Sequence, residues 1–438
     1  MTYKETCDYL FNQMPAFEHQ GASGYKEGLD TILALDEHFG RPHKKYHTIH
    51  VAGTNGKGST AHTLSAILQM CGYRVGLYTS PHLVDFSERI RVNGVPISES
   101  YVVEFVEAER AYFEPLHPSF FEVTTAMAFK YFAEKDVEIA VIEVGLGGRL
   151  DCTNIITPLL SVITNIGIDH TQFLGKEPEQ IAMEKAGIIK EGVPVVIGEA
   201  AGDIRTIFES VAAEVHAPIV FAEDHSQVQD LERMPGGKQQ YRTADFGIIT
   251  GELIGEFQVK NTNTVLCVVK QLEKMGILCE QPCKKGESCM NREVKEGFLK
   301  VCELTGLKGR WQTVSKAPHV VCDTGHNISS WEYLSQQLKE IKCDHMHIIF
   351  ALLGDKDHSG IMSLLPKNAT YYFTRVNNKR ALSENVLKIY AAEHELQGDG
   401  YADVAAAYEA AKSAAGEKDF IFVGGSNYVV AEFLKNCI

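Results

Sequence analysis

No apolar run in this 438-residue sequence approaches the length that crosses a bilayer, so no membrane-spanning helix is expected. The opening stretch, MTYKETCDYLFNQMPAF, has neither the basic start nor the unbroken apolar core of a secretory signal, and the expected compartment is the cytoplasm. Basic charge is short as well. There are 42 Lys and Arg against 57 Asp and Glu, a formal net charge of −15. Such a chain lacks the global positive field of a nucleic-acid binder, and an anionic ligand has to be met by local cations and metal. The 11 cysteines form no regular framework. Cys71, Cys152, Cys267 and Cys322 lie in or beside apolar runs, where a thiol behaves as a small hydrophobe. The one cluster is Cys279, Cys283 and Cys289. Its spacing is not that of a zinc knuckle and no His lies nearby, so it reads as loop. Internal repeats and low-complexity tracts are absent.

What remains is ordinary globular composition, 45% hydrophobic and 23% charged, with length for two or three domains. The positions Leu29, Ile32, Leu33 and Leu35 suggest a short helix, and the basic run RPHKKYH (41–47) a solvated turn. A regular alternation follows. Strands are expected at 48–52, 75–78, 137–144, 159–164 and 193–197, with helices from the Gly-rich turn to about Cys71, at 121–134 and at 178–187. Strands alternating with helices imply a mostly parallel sheet covered on both faces. Within 205–250 the GIIT run, and FQV just beyond it, read as strands of an antiparallel excursion. A second series has strands at 319–322, 346–352, 370–374 and 419–423 and helices at 329–341, 383–394, 402–415 and 427–436. The expected architecture is α/β, with an N-terminal P-loop ATPase domain over 1–295 and a smaller Rossmann-like domain over 296–438, the two enclosing a cleft.

The strongest chemical signal is VAGTNGKGST (51–60), which follows a strand and opens a helix. Gly53, Gly56 and Gly58 permit a tight turn whose N–H groups face phosphate oxygens, and the helix N-terminus favours anions. Lys57 can bridge the β- and γ-phosphates, and the Ser59 or Thr60 hydroxyl can meet phosphate or Mg²⁺. The common P-loop pattern has four residues between its first Gly and the Gly-Lys pair; here only Thr54 and Asn55 intervene, and Gly58 separates Lys57 from Ser59. The bland alternative is the Gly-rich turn of any doubly wound sheet. Glu143 ends the third strand, where a carboxylate can hold Mg²⁺ against phosphates, or else form a salt bridge. NIGIDH brings Asp169 and His170 to the same sheet edge. IAMEKAGIIK puts Lys185 on or near a helix start, where an ammonium beside metal ions would be repelled unless neutral, distant or converted to an anion.

Ten short motifs occur in one order: GTNGKGST, TSPHL (79–83), ERI (88–90), GLGGRLD (145–151), DH (169–170), EKAGIIK (184–190), GR (309–310), DTGHN (323–327), DKD (355–357) and GGSNYVV (424–430). Together they resemble the folylpolyglutamate synthase and dihydrofolate synthase family of the Mur-ligase superfamily. The resemblance implies ATP bound by Asn55, Gly56, Lys57, Gly58, Ser59, Thr60, Asn261, Arg310 and Asp323. It implies one Mg²⁺ on Ser80 and Glu143, and a second near His170 and a CO2-derived carbamate on Lys185, which removes the electrostatic difficulty; a monovalent cation belongs to the same expectation. His326 and Ser426 are implied beside the incoming L-glutamate. Ser119, Phe120, Phe121 and Glu122, with Leu150, Asp151 and Cys152, are implied at the pterin, although Cys152, like Thr324 of the DTGHN motif, stands where the family often has Ala. The catalytic set implied is Lys57, Lys185, His170, Arg310 and His326.

The implied reaction phosphorylates a folate or dihydropteroate carboxylate with ATP, and the glutamate amine displaces phosphate from the acyl phosphate. Nothing in the sequence requires a covalent enzyme intermediate. The expected assembly is a monomer without nucleic-acid or membrane partners. A Mur-type cell-wall ligase would need a nucleotide-sugar domain ahead of the P-loop. A P-loop regulator would not need Lys185 or the GR and DTGHN motifs. For Asp151, a hydrogen bond to the pterin and a loop cap after GLGGR are equally consistent readings.

Overall fold

The structure, a computed structural model of the chain, describes residues 1–15, 28–234, 237–278, 289–354 and 356–438. Cys279, Cys283 and Asp355 lie outside them. Two compact units form: Met1–His82 with Phe86–Leu253 and Phe257–Leu307, and Lys308–Ile438 with the short pieces Leu83–Asp85 and Ile254–Glu256. No helix among the described residues is long and apolar enough to cross a membrane.

The first unit is built on β1 (His47–Ala52), β2 (Val75–Tyr78), β3 (Ile90–Val92), β4 (Val95–Pro96), β5 (Ile139–Glu143), β6 (Leu160–Ile163), β7 (Val195–Ile197) and β8 (Ile219–Phe221). Their order is β4-β3-β2-β5-β1-β6-β7-β8. The six strands from β2 to β8 in that order run parallel, and β3 and β4 form an antiparallel edge. β2, β5 and β6 are buried at every position, which is why they read as continuous apolar runs rather than alternating ones. One face is covered by Val123, Met127 and Phe129 of the helix Phe120–Glu134. The other is covered by Leu64 and Ile67 of Lys57–Met70 with Val265 and Val269 of Phe257–Lys274.

A separate antiparallel sheet is ordered β11 (Ile248–Gly251), β10 (Lys238–Thr243), β9 (Val228–Met234). GIIT is thus the expected strand, but FQV is not: Phe257 opens an 18-residue helix. A three-residue apolar run cannot distinguish a strand from a first helical turn. The helical spacing shows only over the full element, where Gln258, Asn261, Thr262, Val265, Val269 and Leu272 are buried. The basic run differs too. Pro42–Lys45 is a 3-10 turn, and His43 Nδ1 lies 2.7 Å from Asp36 Oδ1 in a nearly buried pair. Arg41, Lys44, Lys45 and His47 are the solvated members.

The second unit has β12 (Gln312–Lys316), β13 (His319–Cys322), β14 (Met346–Phe350), β15 (Ala369–Thr374), β16 (Gln397–Tyr401) and β17 (Phe420–Gly424), ordered β12-β13-β17-β14-β15-β16. Only β12 is antiparallel. The helices Ile328–Lys339, Glu384–Glu393, Val404–Ala414 and Asn427–Asn436 follow the expected positions within a few residues. Trp331 is fully buried, edge-on to Phe350 and Phe422 with ring centroids 5.4 and 5.9 Å away. Trp331→Ala should therefore cost about 3–5 kcal/mol, as large-to-small aromatic truncations in cores do. Chemical denaturation measures this; a loss below about 1 kcal/mol, typical of a surface site, would contradict the packing.

Candidate active site

The register of the first sheet sets the site. Val51 pairs with Glu143 and Ala52 with Ile163, so Gly53, Glu143 and Thr164 stand together at the carboxyl edge where β1, β5 and β6 adjoin. In open α/β sheets ligands gather at that edge. Two glycines of the loop are required by geometry. Gly53 has φ +144° and a Cβ there would fall 1.8 Å from Thr164 Oγ1; Gly56 has φ +84° and a Cβ would fall 2.2 Å from Asn261 Oδ1. The segment after β6 pins the loop. Thr54 N donates to Asn165 O at 3.0 Å, Asn55 N to Asn165 Oδ1 at 2.9 Å, and Thr164 Oγ1 to Asn55 O at 2.6 Å. Thr164 and Asn165 were not singled out from sequence, although a TNIG turn directly after a buried strand was a usable signal.

The helix Lys57–Met70 starts from left-handed Gly56 with no side-chain cap. Its own ladder supplies no acceptors for the first-turn N–H groups, the arrangement that suits an anion. Gln258 Nε2 donates to Ser59 Oγ at 3.3 Å and Asn261 Nδ2 to Gln258 Oε1 at 2.9 Å, so Asn261 reaches the loop both directly and through Gln258. Thr60 Oγ1 is buried without a protein hydrogen bond.

Two lysines converge on one carbonyl. Lys57 Nζ donates to Gly53 O at 3.0 Å and to Thr54 O at 3.1 Å, and Lys185 Nζ donates to Gly53 O at 2.8 Å. Lys185 lies in the last turn of the helix Pro178–Ala186, not at a helix start. It comes within reach because the GLGGR loop packs on that helix end. Arg149 N donates to Glu184 O at 2.7 Å, and Arg149 Nη2 to Glu184 Oε1 at 2.8 Å. Burial, then the charge of Lys57, lowers the Lys185 amine to about 7, against opposing attraction from Asp169 and Asp151. Lys57, Lys185, Asp169, His170 and the Gly145–Gly147 backbone line one cavity. His170 is left-handed, at φ +51°, and its N–H donates to Asp169 Oδ1 at 2.8 Å.

Glu143 is buried and its Oε2 accepts from Ser80 N at 3.2 Å. The four expected metal residues therefore fall into two groups, Ser80 with Glu143 and His170 with Lys185. Among the described residues no three His, Cys, Asp or Glu side chains converge as a complete cage. That suits Mg²⁺, which takes one or two protein carboxylates and completes its shell with phosphate oxygens and water. Buried Glu143 would supply a protein oxygen to such an ion, and the Thr60 hydroxyl, which has no protein hydrogen bond, is open to phosphate or metal.

On the expected pterin side, Ser119 and Glu122 form a capping box: Ser119 N and Oγ donate to Glu122 Oε2, and Glu122 N donates to Ser119 Oγ. Phe120 is buried against Phe11, Phe86 and the Arg89 guanidinium. Half-buried Phe121 reaches the GLGG loop, its ring lying where a Cβ on Gly145 would go. Asp151 is nearly buried. Its Oδ2 accepts from Leu146 N at 2.8 Å, and its Oδ1 accepts from Thr153 N at 2.9 Å and from Thr153 Oγ1 at 2.5 Å. The loop-cap role is thus visible in the bonds. Thr153 Oγ1 in turn lies 2.8 Å from Nε2 of fully buried His50, which burial holds neutral, its pKa lowered to about 3. Leu150 and Cys152, on either side of Asp151, are half-buried.

In the second unit, residues after β13 and β17 gather. Asp323 is buried, with Oδ2 accepting from Trp311 N at 2.7 Å and Oδ1 from Gly325 N at 2.8 Å. Burial raises its pKa, while the nearby Arg310 charge and these bonds oppose the rise. Trp311 is left-handed at φ +43°, a conformation that costs an L-residue about 1–2 kcal/mol. His326 Nδ1 lies 3.1 Å from the Thr324 carbonyl, which places the ring proton on Nδ1. Ser426 is buried and caps the helix Asn427–Asn436 by accepting from Val429 N at 3.2 Å.

Residues 51–269 match the family model for the Mur ligase middle domain, and residues 309–427 that for the Mur ligase glutamate ligase domain. Fold and site thus define a ligase of the Mur class. Over 425 residues the chain is 33% identical to the dihydrofolate synthase/folylpolyglutamate synthase of Bacillus subtilis (strain 168), spanning 94% of this chain and 95% of that one. It superposes on the E. coli protein FolC solved in complex with DHPP and ADP, with TM-score 0.81, 28% identity and coverage of 99% and 97%. It also superposes on the Yersinia pestis bifunctional folylpolyglutamate synthase/dihydrofolate synthase complexed with AMPPNP and Mn ion, with TM-score 0.80, 28% identity and coverage of 100% and 98%. The chain belongs to the dihydrofolate synthase/folylpolyglutamate synthase family.

Gly56→Ala tests the loop geometry. The added methyl meets Asn261 Oδ1, and the φ of +84° disfavours any side chain. ADP affinity by calorimetry should fall at least about tenfold, the equivalent of a strained left-handed residue. Unaltered affinity in a folded variant would contradict the loop geometry.

Proposed function

We propose that this chain joins L-glutamate to folates in an ATP-dependent ligation, and that it also converts dihydropteroate to dihydrofolate. The observation that carries this reading is the convergence of the uncapped P-loop helix, buried Glu143 and the Lys57–Lys185 pair on one sheet edge. The Bacillus subtilis relative is named for both activities, and the E. coli neighbour was solved with DHPP and ADP.

In this reading a substrate carboxylate oxygen attacks the γ-phosphorus of ATP and ADP leaves. The glutamate amine then attacks the acyl carbon, loses a proton, and phosphate departs. The loop N–H groups and Lys57 bind the phosphates and stabilise charge as it develops. Lys57 turns from its carbonyl partners toward the nucleotide. Ser80 and Glu143 hold one Mg²⁺, and His170 and a carbamate on Lys185 hold a second. Bound there, the metal supplies Lewis-acid polarisation of phosphoryl oxygens. Asn261, Arg310 and Asp323 serve the nucleotide, Arg310 by charge and Asp323 by shaping the GR turn. His326 and Ser426 serve the incoming glutamate. Phe121, Leu150 and Cys152 face the pterin, and Asp151 holds the loop beside it.

The carbamate reading rests on the Lys185 amine, buried and crowded by a second cation. Addition of CO2 forms an N–C bond, releases one N–H proton and replaces a cation with an anion. Because the folded-state pKa is lowered to about 7, the reactive neutral amine grows in as pH rises through that value and is lost below it. With bicarbonate enriched in the heavy carbon isotope, a carbamate resonance should appear above neutral pH and vanish in Lys185→Ala. Full activity without that resonance would sink the assignment.

The activity itself is tested with purified protein, ATP, Mg²⁺ and L-glutamate, supplying either dihydropteroate or a tetrahydrofolate. Phosphate release should require glutamate with each acceptor, and Lys57→Ala should abolish both reactions in a folded protein. Release with the folate alone would leave a monofunctional folylpolyglutamate synthase; release with neither would overturn the reading.

A further inference from the structure

We infer that the hydroxyl of Thr324 is the positioning group for the Arg310 guanidinium, fixing it before nucleotide arrives. The inference rests on the reading of Arg310 as a nucleotide-binding residue. Arg310 Nη1 donates to Thr324 Oγ1 at 2.7 Å, and Thr324 Oγ1 donates to Gly309 O at 3.1 Å. A hydroxyl has one proton, and the Gly309 carbonyl takes it, so the oxygen presents a lone pair to the guanidinium. The Thr324 amide donates to the same carbonyl at 3.0 Å, which closes the turn onto the side chain that steers it.

The rest of the turn is equally determined. Gly309 has φ +69°, and a Cβ there would fall 2.8 Å from Thr324 Cγ2, so the threonine methyl fills the space beside the glycine. Gly309 N donates to Gln312 Oε1 at 2.8 Å, and Trp311 N is held by Asp323. The Trp311 ring lies against Phe420 and Phe422, with centroids 6.3 and 5.8 Å away. Both Asp323 oxygens accept from backbone N–H groups, so this neighbour attracts Arg310 by charge, while the hydrogen bond that orients the guanidinium goes to Thr324. The two branches of the threonine side chain act differently: the methyl packs the turn, and the hydroxyl aims the cation. A β-branched side chain suits both, because its χ1 is stiff. Pre-ordering a long arginine reduces the rotamer freedom lost when ligand binds.

Three variants separate packing from aiming. Thr324→Val keeps the shape and removes the hydroxyl; Thr324→Ser keeps the hydroxyl and removes the methyl; Arg310→Ala removes the cation. Steady-state kinetics against ATP and glutamate, calorimetric ADP binding and thermal melting are measured on each full-length protein. Thr324→Val should raise the KM for ATP and weaken ADP binding about tenfold, the scale of one hydrogen bond to a charged group, with the KM for glutamate and the melting temperature held. Thr324→Ser should restore ATP use to within about twofold of the parent. If Arg310→Ala weakens ADP binding but Thr324→Val does not, the positioning role is overturned and the nucleotide reading of Arg310 stands. If Arg310→Ala leaves ADP binding unchanged, that reading fails and the inference with it. An equal defect in the valine and serine variants would assign the effect to packing and overturn the hydroxyl's role.

Discussion

The carbonyl oxygen of Gly53 is the point on which the first unit's chemistry turns. It accepts from both Lys57 and Lys185, two cations brought to one acceptor at the end of a buried parallel strand. Such crowding disfavours two full charges, and burial together with Lys57 lowers the Lys185 amine, against attraction from Asp169 and Asp151. The loop bonds that present this carbonyl come from the segment after β6, and the loop that seats Lys185 is the one after β5. Three consecutive positions of the sheet thus cooperate in a single electrostatic arrangement.

Buried carboxylates do different work in different places. Asp151 and Asp323 are both nearly inaccessible, and each has both oxygens engaged by N–H groups that fix a turn. Those bonds offset the desolvation of a carboxylate that would otherwise be costly to bury. Both therefore act on shape: Asp151 shapes the GLGG loop that lines the cavity beside Lys57 and Lys185, and Asp323 shapes the turn that carries Arg310. Glu143 is buried as well, but it sits at a strand end beside Ser80, where a metal ion can reach an oxygen. Residue type alone did not separate these roles.

Much of the architecture was legible because parallel strands buried on both faces are written as short apolar runs between helices. The strands ending in Ala52, Glu143 and Ile163 stand where those runs placed them. The failures have local causes. FQV was too short to reveal a period, and it belongs to a helix whose buried face emerges only over later turns. Lys185 lies at the end of its helix rather than near the start. In SFFE the structure adds a helix cap between the Ser and Glu side chains to the substrate role that the resemblance implies. Thr164, Asn165 and Gln258 were passed over because small polar residues acquire meaning only from what they touch.

The sequence by itself determined most of the buried parallel strands and the helices between them, the Gly-rich turn with its lysine, and the family to which the ordered motifs point. These follow from spacing, and spacing is a property of the chain. Tertiary structure decided which groups share an atom. It joined Lys57 to Lys185, Asn261 to Gly56 and Arg310 to Thr324. The physical reason is that hydrogen bonding and desolvation act over a few ångströms, and sheet order brings residues far apart in the chain within that range.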